Sequence, residues 1–346
     1  MRAPASDGVE RMRSLVAALP TMLVDGFRAG RELAVPFDGE TGRLYASGLG
    51  GSAAAADLVA AVLETDGRAT LEVVHGEELP RAADARATVV ILSYSGETTE
   101  ALRAYAAAGR RRARRLVVTS GGSLGEQAAD EDVPVVRVPP GLPPRSAIGY
   151  LFGGLLGALD PLFPESTELR TLAAAEALRS RLGPLSRPNG LPGRLAQALG
   201  ERLPFVIADR MLAAVARRWA TQVEENAKRL AIAQEAPELL HNAIVGWEAI
   251  GTRDAARSAL IVLERPTAPP TVRAGLRHLM QVVRRRRVPV LPVEIAAEDP
   301  IEAIVHGVAF GDLFSIELAR RARVDPYPIT AIDRLRAAVA AQAAGR

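Results

Sequence analysis

The stretch Val89-Val-Ile-Leu-Ser-Tyr-Ser-Gly-Glu-Thr-Thr-Glu100 decides the fold of this chain. It begins with four apolar residues, three of them β-branched, and continues directly into a cluster of Ser, Gly and Thr. A short apolar run bounded by Gly and Ser predicts a buried strand of a parallel sheet, and residues 97–108 are predicted as the following helix. The polar cluster would then lie at the carboxyl end of the strand, where open α/β sheets bind ligands.

The hydroxyl groups of this cluster predict an anion site. Free backbone N–H groups and hydroxyls at a helix N-terminus suit a negative group, most simply a phosphate. A single Ser or Thr here would be interpreted as an ordinary helix cap. The clustering favours the phosphate site instead, and its members are Ser93, Ser95, Thr98 and Thr99.

Two further predicted strand ends have the same kind of turn. Gly48-Leu-Gly-Gly-Ser52 follows a predicted strand at residues 43–47, and Thr119-Ser-Gly-Gly-Ser123 follows one at residues 116–120. The first turn lacks the third glycine of the dinucleotide-binding fingerprint, so it is weak evidence on its own. Because parallel strands place such ends along one edge of a sheet, we expect these turns to converge on one ligand.

Composition narrows the class of protein. The chain has 346 residues, 48% of them apolar, which is enough for two ordinary domains with a sizeable core. It has no cysteine, which excludes disulfides, a thiolate zinc site and a cysteine nucleophile, and is typical of a reducing cytosol. There is no signal-peptide core and no uncharged apolar run of roughly 18 residues, so we expect a cytoplasmic protein without a membrane span.

Charge and histidine spacing argue against two kinds of partner. The net charge is only +3, and the basic runs at residues 110–115 and 284–287 lie where helices should end. Cations there complement the helix dipole, so nucleic-acid binding is not expected. The four histidines lack metal-ligand spacing, so we expect no metal and no other cofactor.

The order of predicted elements indicates two α/β units. A segment rich in Pro and Gly at residues 183–193 is predicted as a linker, after which strands and helices alternate again. We therefore expect an N-terminal domain over residues 1–185 and a C-terminal domain over residues 186–346, each a mainly parallel, doubly wound sheet flanked by helices. Within the second domain, residues 211–231 are predicted as a helix and residues 243–247 as a short strand.

A candidate proton-transfer set lies in the second unit. Glu224-Glu-Asn-Ala-Lys228 falls in the predicted helix and includes the only lysine of the chain, and Glu238-Leu-Leu-His-Asn242 follows in a predicted loop. A Glu facing a cleft and a His could together move a proton near neutral pH. A solvated helix face and a loop-capping His explain the same residues, and spacing alone favours that simpler interpretation.

Six segments together resemble one known family. They are Gly48-Leu-Gly-Gly-Ser52, Ser93-Tyr-Ser-Gly-Glu-Thr98, Thr119-Ser-Gly-Gly122, Pro144-Arg-Ser-Ala147, Glu225-Asn-Ala-Lys228 and Glu238-Leu-Leu-His-Asn242. In this order they are similar to the bifunctional phosphoglucose/phosphomannose isomerases, which are built of two sugar-isomerase (SIS) domains. The resemblance covers nearly the whole chain. SIS proteins generally share the serine-rich segment, whereas the last two segments are much more specific to this family.

The resemblance implies a reaction and a set of site residues. The reaction interconverts glucose 6-phosphate or mannose 6-phosphate with fructose 6-phosphate through a cis-enediolate. Arg145 would stabilise the enediolate, Glu225 would carry the proton between C1 and C2, and His241 would assist ring opening. The sugar phosphate would be bound by Gly51, Ser52, Ser93, Ser95 and Thr98. The family also implies a homodimer, in which the His reaches the active site from the partner subunit.

Three places depart from the family pattern. Arg336 is a candidate catalytic residue where family members have a lysine, and Arg keeps the charge but does not readily give up a proton. Ser123 replaces an expected lysine, and alanines at residues 53–56 follow the glycine-rich turn where more glycine is usual.

Two other classes of protein share parts of this pattern. An SIS protein that binds or senses a sugar phosphate with little turnover would keep the same hydroxyls, although Arg145, Glu225 and His241 together favour the enzyme. The isomerase half of a glutamine-dependent amidotransferase would need an N-terminal cysteine nucleophile, which this chain lacks.

Overall fold

The first α/β unit begins with two helices and continues as a five-stranded sheet. The computed structural model describes residues 5–33, 42–187 and 189–344. The opening helices are α1 (Ala5–Ala17) and α2 (Leu19–Arg31). The strands are β1 (Leu44–Ser47), β2 (Leu71–Val74), β3 (Thr88–Leu92), β4 (Arg114–Thr119) and β5 (Val135–Arg137). The helices between and after them are α3 (Gly51–Asp66), α4 (Thr99–Arg110), α5 (Gly122–Asp130), α6 (Ile148–Ala158) and α7 (Glu168–Leu185).

The second unit has a four-stranded sheet. Its strands are β6 (Leu203–Asp209), β7 (Ile232–Ala236), β8 (Ser258–Glu264) and β9 (Val290–Glu294). Its helices are α8 (Leu191–Leu199), α9 (Ala213–Ala227), α10 (Ala243–Ala249), α11 (Thr252–Arg257), α12 (Pro270–Arg285), α13 (Pro300–Arg321) and α14 (Thr330–Ala344).

Both sheets are parallel and follow the same order. The first is β2-β1-β3-β4-β5 and the second is β7-β6-β8-β9, and every neighbouring pair runs parallel. The predicted fold class, two α/β units with parallel sheets flanked by helices, is confirmed. The order also places the carboxyl ends of β1, β3 and β4 side by side.

The two units share one core. A continuous apolar cluster contains residues from both, among them Leu58 of α3, Trp219 of α9 and Phe314 of α13. The outer face of each sheet has its own smaller cluster. The predicted linker at residues 183–193 is wrong in extent, because α7 continues to Leu185 and α8 begins at Leu191. Residue 188 of that segment lies outside the described residues.

Two predicted elements of the second unit are wrong. The helix predicted at residues 211–231 ends at Ala227, because Lys228 adopts a left-handed conformation (φ 56°, ψ 38°) at its C-cap. This reversal leads directly into β7, an edge strand that the sequence did not predict. The strand predicted at residues 243–247 lies in the helix α10 instead.

The most apolar helix of the first unit packs inside the protein. Every residue of α6 except Tyr150 is buried, and glycines bring its backbone close to α2. A Cβ at Gly26 of α2, for example, would lie 2.5 Å from the carbonyl oxygen of Tyr150. Within the described residues, no helix combines the length and apolar character that crossing a membrane requires.

Candidate active site

The turns after β1, β3 and β4 lie together, as expected. The backbone N–H of Tyr94 donates a hydrogen bond to the Ser52 hydroxyl (3.2 Å), which ties the turn after β3 to the start of α3. The carbonyl oxygen of Tyr94 accepts hydrogen bonds from the backbone N–H (2.9 Å) and the hydroxyl (2.6 Å) of Ser120, after β4. Three strand ends therefore form one surface at the carboxyl edge of the first sheet.

The predicted phosphate-binding hydroxyls are arranged around this surface. The Ser93 and Thr98 hydroxyl oxygens lie 3.0 Å apart, and the Ser93 hydroxyl also accepts a hydrogen bond from the backbone N–H of Gly96 (3.1 Å). Ser95 is exposed and accepts a hydrogen bond from the Glu97 N–H (3.3 Å). Helices α3 and α4 begin here without a side-chain cap, which suits an anion, whereas the first turn of α5 already binds the Glu97 carboxylate through the Ser123 N–H (2.7 Å).

Gly51 brings the first of these turns against the loop that contains Arg145. Arg145 lies in a single 3₁₀ turn, Pro144–Ala147, just before α6. A Cβ at position 51 would lie 2.9 Å from the Pro144 carbonyl oxygen and 3.2 Å from the Arg145 Cα. The close approach therefore favours glycine, and it places the predicted phosphate site next to the predicted catalytic arginine.

The Arg145 guanidinium is buried and held from several sides. Its Nε donates to the Asn226 Oδ1 (3.0 Å), and its Nη2 donates to the carbonyl oxygens of Pro326 (2.8 Å) and Tyr327 (2.9 Å). The remaining nitrogen, Nη1, lies 3.7 Å from the Glu225 Oε2, and the Arg145 side chain is only 2% exposed. In the described part of the chain Nη1 makes no hydrogen bond, so it is the donor left for a ligand.

Glu225 lies in the last turn of α9 and is half-buried. Burial raises the pKa of its carboxyl group above the ordinary value, and the nearby charge of Arg145 opposes this rise. Arg218, Lys228 and Arg336 oppose it further. The neighbouring Glu224 is exposed. The two glutamates of the motif therefore differ in environment, as a helix with about 100° between successive residues predicts.

A layer of buried polar residues supports this pair, and the sequence did not reveal it. Asn226 is fully buried, and its amide donates to the Gln222 Oε1 (3.2 Å) and the Ser315 hydroxyl (2.9 Å). Arg218 donates to the Arg145 carbonyl oxygen (3.0 Å) and pairs with Asp312 (2.7 Å). In the sequence, the only indication of this layer is that Asn226 lies inside the Glu225–Lys228 segment. The other contacts join α9 to α13, which are far apart in the chain, so no local pattern predicts them.

Two more cations lie at the edge of the site. The Lys228 ammonium donates to the carbonyl oxygens of Glu225 and Pro328, the latter at 2.7 Å, and burial lowers its pKa. Arg336, on the exposed surface of α14, is close enough for its charge to act on Glu225.

His241 is not brought to the pair within one chain. It ends a 3₁₀ turn, Glu238–His241, and its side chain is exposed. Among the described residues no hydrogen bond or ion pair joins it to Glu225 or Arg145. Across the same described ranges, no group of three His, Asp or Glu side chains could hold a metal ion.

Comparison with known proteins assigns the fold. Residues 190–339 match the family model "bacterial phospho-glucose isomerase C-terminal SIS domain". A bifunctional phosphoglucose/phosphomannose isomerase of Caldicellulosiruptor bescii is 28% identical over 340 residues, 92% of this chain and 96% of that protein. A D-glucosamine-6-phosphate 4-epimerase of Sulfolobus acidocaldarius is 32% identical over 46% of this chain and 51% of that protein. A hypothetical protein of Thermus thermophilus has the same fold, with a TM-score of 0.76 at 15% identity over 98% of this chain and 94% of that chain.

Proposed function

Because this chain is related to the bifunctional phosphoglucose/phosphomannose isomerases along nearly its whole length, as its motifs predicted, we propose that it interconverts fructose 6-phosphate with glucose 6-phosphate, mannose 6-phosphate or both. The observation that supports this most directly is the pair of Arg145 Nη1 and Glu225 Oε2, 3.7 Å apart. Aldose–ketose isomerisation needs a base beside C2 and a positive charge where the enediolate oxygen develops. This pair supplies both groups next to an anion-binding surface.

The phosphate group would bind at the uncapped starts of α3 and α4. Hydroxyls of Ser52, Ser93 and Thr98 lie there, together with the N–H groups of the first turn of α4. Ser95 would add an exposed hydroxyl at the rim, and Gly51 would let the turn approach both the phosphate and the Arg145 loop. This site would bind substrate and product equally, because the phosphate does not change in the reaction.

Glu225 would move the proton. It would take a proton from C2 of the open-chain aldose, the C2–H electron pair would form the C1=C2 bond, and the C1 carbonyl oxygen would become the enediolate oxygen. Return of the proton to C1, with transfer of the O2 proton to O1, gives the ketose. The raised pKa of Glu225 suits this role, since a general base works best when its pKa lies near the operating pH. Protonation of C2 from either face would yield both aldoses.

Arg145 would stabilise the charge on the enediolate oxygen. Its other nitrogens are fixed by Asn226 and two backbone carbonyls, so Nη1 points toward Glu225 without needing to reorganise during the reaction. Burial strengthens this interaction, because charges act over a longer range where water is excluded. Arg336 would add a second positive charge at the exposed side.

Ring opening would require a second subunit. His241 is exposed, and among the residues that the structure describes no hydrogen bond or ion pair joins it to Glu225. We therefore propose that it acts in the active site of a partner subunit in a homodimer. Val245, four residues further along and 65% exposed, would be covered in the same interface. The size of the particle in solution, measured by light scattering, tests this part of the proposal.

A coupled assay of the purified protein with fructose 6-phosphate tests the reaction. Formation of glucose 6-phosphate, mannose 6-phosphate or both, at a rate unaffected by EDTA, is the expected result. Binding of fructose 6-phosphate without conversion would favour a protein that senses a sugar phosphate. Conversion of glucosamine 6-phosphate to its 4-epimer, with fructose 6-phosphate left unchanged, would favour the second kind of relative.

A further inference from the structure

Tyr94 makes contacts that the proposed reaction does not explain. Its side chain is buried in the shared core, 5% exposed. Its phenol hydroxyl donates to the carbonyl oxygen of Pro139 (2.8 Å) and accepts a hydrogen bond from the backbone N–H of Leu142 (2.9 Å). Its main chain binds Ser52 and Ser120, as described above. One residue therefore contacts the turns after β1 and β4 and the loop that leads to Arg145.

That loop, residues 139–144, has few backbone donors with which to hold its own shape. Four of its six residues are proline, so only Gly141 and Leu142 have a backbone N–H. The N–H of Leu142 is the one that binds the Tyr94 hydroxyl. Gly141 turns the chain with a φ of 92°, a conformation that favours glycine. The phenol is therefore a hydrogen-bonding contact that fastens this proline-rich loop to the sheet, beside the packing of Leu142 against the shared core.

Arg145 follows Leu142 by three residues, so fastening the loop also constrains the backbone from which the arginine side chain extends. On its other side, the Pro144–Arg145 backbone packs against Gly51 of the phosphate turn. We propose that Tyr94 is a positioning residue that sets the distance between the phosphate subsite and the Arg145 guanidinium. The identity of the ligand, a phosphorylated sugar with negative charge at its C1–C2 end, rests on the proposed function.

Tyr94→Phe tests this role because it removes only the hydroxyl. Pro139 is exposed and Leu142 is half-buried, so water can replace both lost hydrogen bonds and the fold should persist. Tyr105→Phe is the matched control: Tyr105 is 1% exposed, and its hydroxyl donates to the Gln127 carbonyl oxygen (3.4 Å) in the outer core of the first sheet. Thermal unfolding of both variants would be recorded alongside the binding measurements.

Two probes separate the phosphate subsite from the arginine. Inorganic phosphate occupies the subsite alone, whereas 6-phosphogluconate also presents a carboxylate where the enediolate charge develops. In calorimetry, Tyr94→Phe should weaken 6-phosphogluconate binding about tenfold or more and phosphate binding less than about twofold, since small misplacements of a catalytic group have effects of this order. The kcat for fructose 6-phosphate should fall by a similar factor with little change in KM. Tyr105→Phe should change none of these values.

The remaining outcomes distinguish the positioning role of Tyr94 from the proposed isomerase activity. Equal weakening of both probes, no weakening of either, or the same losses in Tyr105→Phe would overturn the positioning role. If the wild-type protein leaves fructose 6-phosphate unchanged but Tyr94→Phe still discriminates between the probes, the isomerase proposal fails and the positioning role stands. If the wild-type protein binds neither probe, both are overturned.

Discussion

Gly311 of α13 is the position where one added methyl group should disturb the helix that positions Glu225. A Cβ at residue 311 would overlap the Trp219 ring of α9, with 2.7 Å to its Cε2 atom. Trp219 is fully buried, stacks on Phe310 with 5.3 Å between ring centroids, and donates its indole N–H to the Gly307 carbonyl oxygen (2.8 Å). Because the ring is fully buried and also contacts Phe314, we expect Gly311→Ala to shift α9 relative to α13.

The cost of this substitution can be worked out from two contributions. Overpacking of a dense core costs about 1–3 kcal/mol. Loss of the indole hydrogen bond would leave a buried donor unpaired and add about 1–3 kcal/mol. We therefore expect Gly311→Ala to lower the free energy of unfolding by about 2–6 kcal/mol, which is a large share of the total for an ordinary protein.

Urea unfolding of four variants, Gly311→Ala, Trp219→Phe, their double variant and a glycine control, measures this cost. Gly246→Ala is the control, because residue 246 is also helical, is exposed, and a Cβ there meets nothing within 4 Å. It should leave stability unchanged or raise it by up to about 1 kcal/mol. The double variant Gly311→Ala/Trp219→Phe makes room for the methyl group and should lose at least about 1 kcal/mol less than the sum of the single losses. Strict additivity, or a Gly311→Ala loss below about 1 kcal/mol, would refute the overlap argument.

Three further predictions follow from single contacts or shifted pKa values. Gly51→Ala should push the phosphate turn away from Pro144 and lower kcat/KM about tenfold or more, and unchanged kinetics would contradict the close approach. Burial raises the pKa of Glu225 above its ordinary value of 4.5, so kcat/KM should fall as the pH decreases through a value higher than 4.5. A pH profile that stays flat to pH 4 would exclude Glu225 as the base. Burial lowers the pKa of His306 from 6.5 to about 4, so the unfolded state binds its proton first as the pH falls. The protein should therefore lose up to about 3 kcal/mol of stability between about pH 6.5 and pH 4. This loss should shrink in His306→Gln and persist in the control His278→Gln, because His278 is exposed.

Much of the fold could be predicted because its signals are local. The apolar run before Ser93 and the Gly and Ser clusters at the strand ends are continuous in sequence, and a parallel sheet fixes where they meet. The strand β7 was missed because Ile232–Ala236 forms an edge strand with little burial and no apolar run. The left-handed turn at Lys228 was missed because Lys is ordinarily a good helix former.

The sequence indicates the residues of the candidate site but not the contacts that hold them in place. Glu225 and Arg145 were identified from short motifs, yet the sequence did not reveal that Asn226 fixes the guanidinium or that Gly51 packs on the arginine loop. Those contacts join segments far apart in the chain, and no local pattern specifies them. His241 is a different case, because its predicted role depends on a partner subunit.

Replacement of Glu225 by Gln tests the central claim most directly. The substitution keeps the shape of the side chain and removes the proton acceptor, while Glu224→Gln makes the same change at the exposed neighbour. With fructose 6-phosphate as substrate, kcat of Glu225→Gln should fall about 10²-fold or more, the usual scale for a general base, and phosphate binding should persist. The same variant should also stop the exchange of solvent deuterium into C1 of the ketose, whereas Glu224→Gln should behave like the wild-type protein. Near-wild-type turnover and exchange in Glu225→Gln would contradict the assignment of the base and the mechanism built on it.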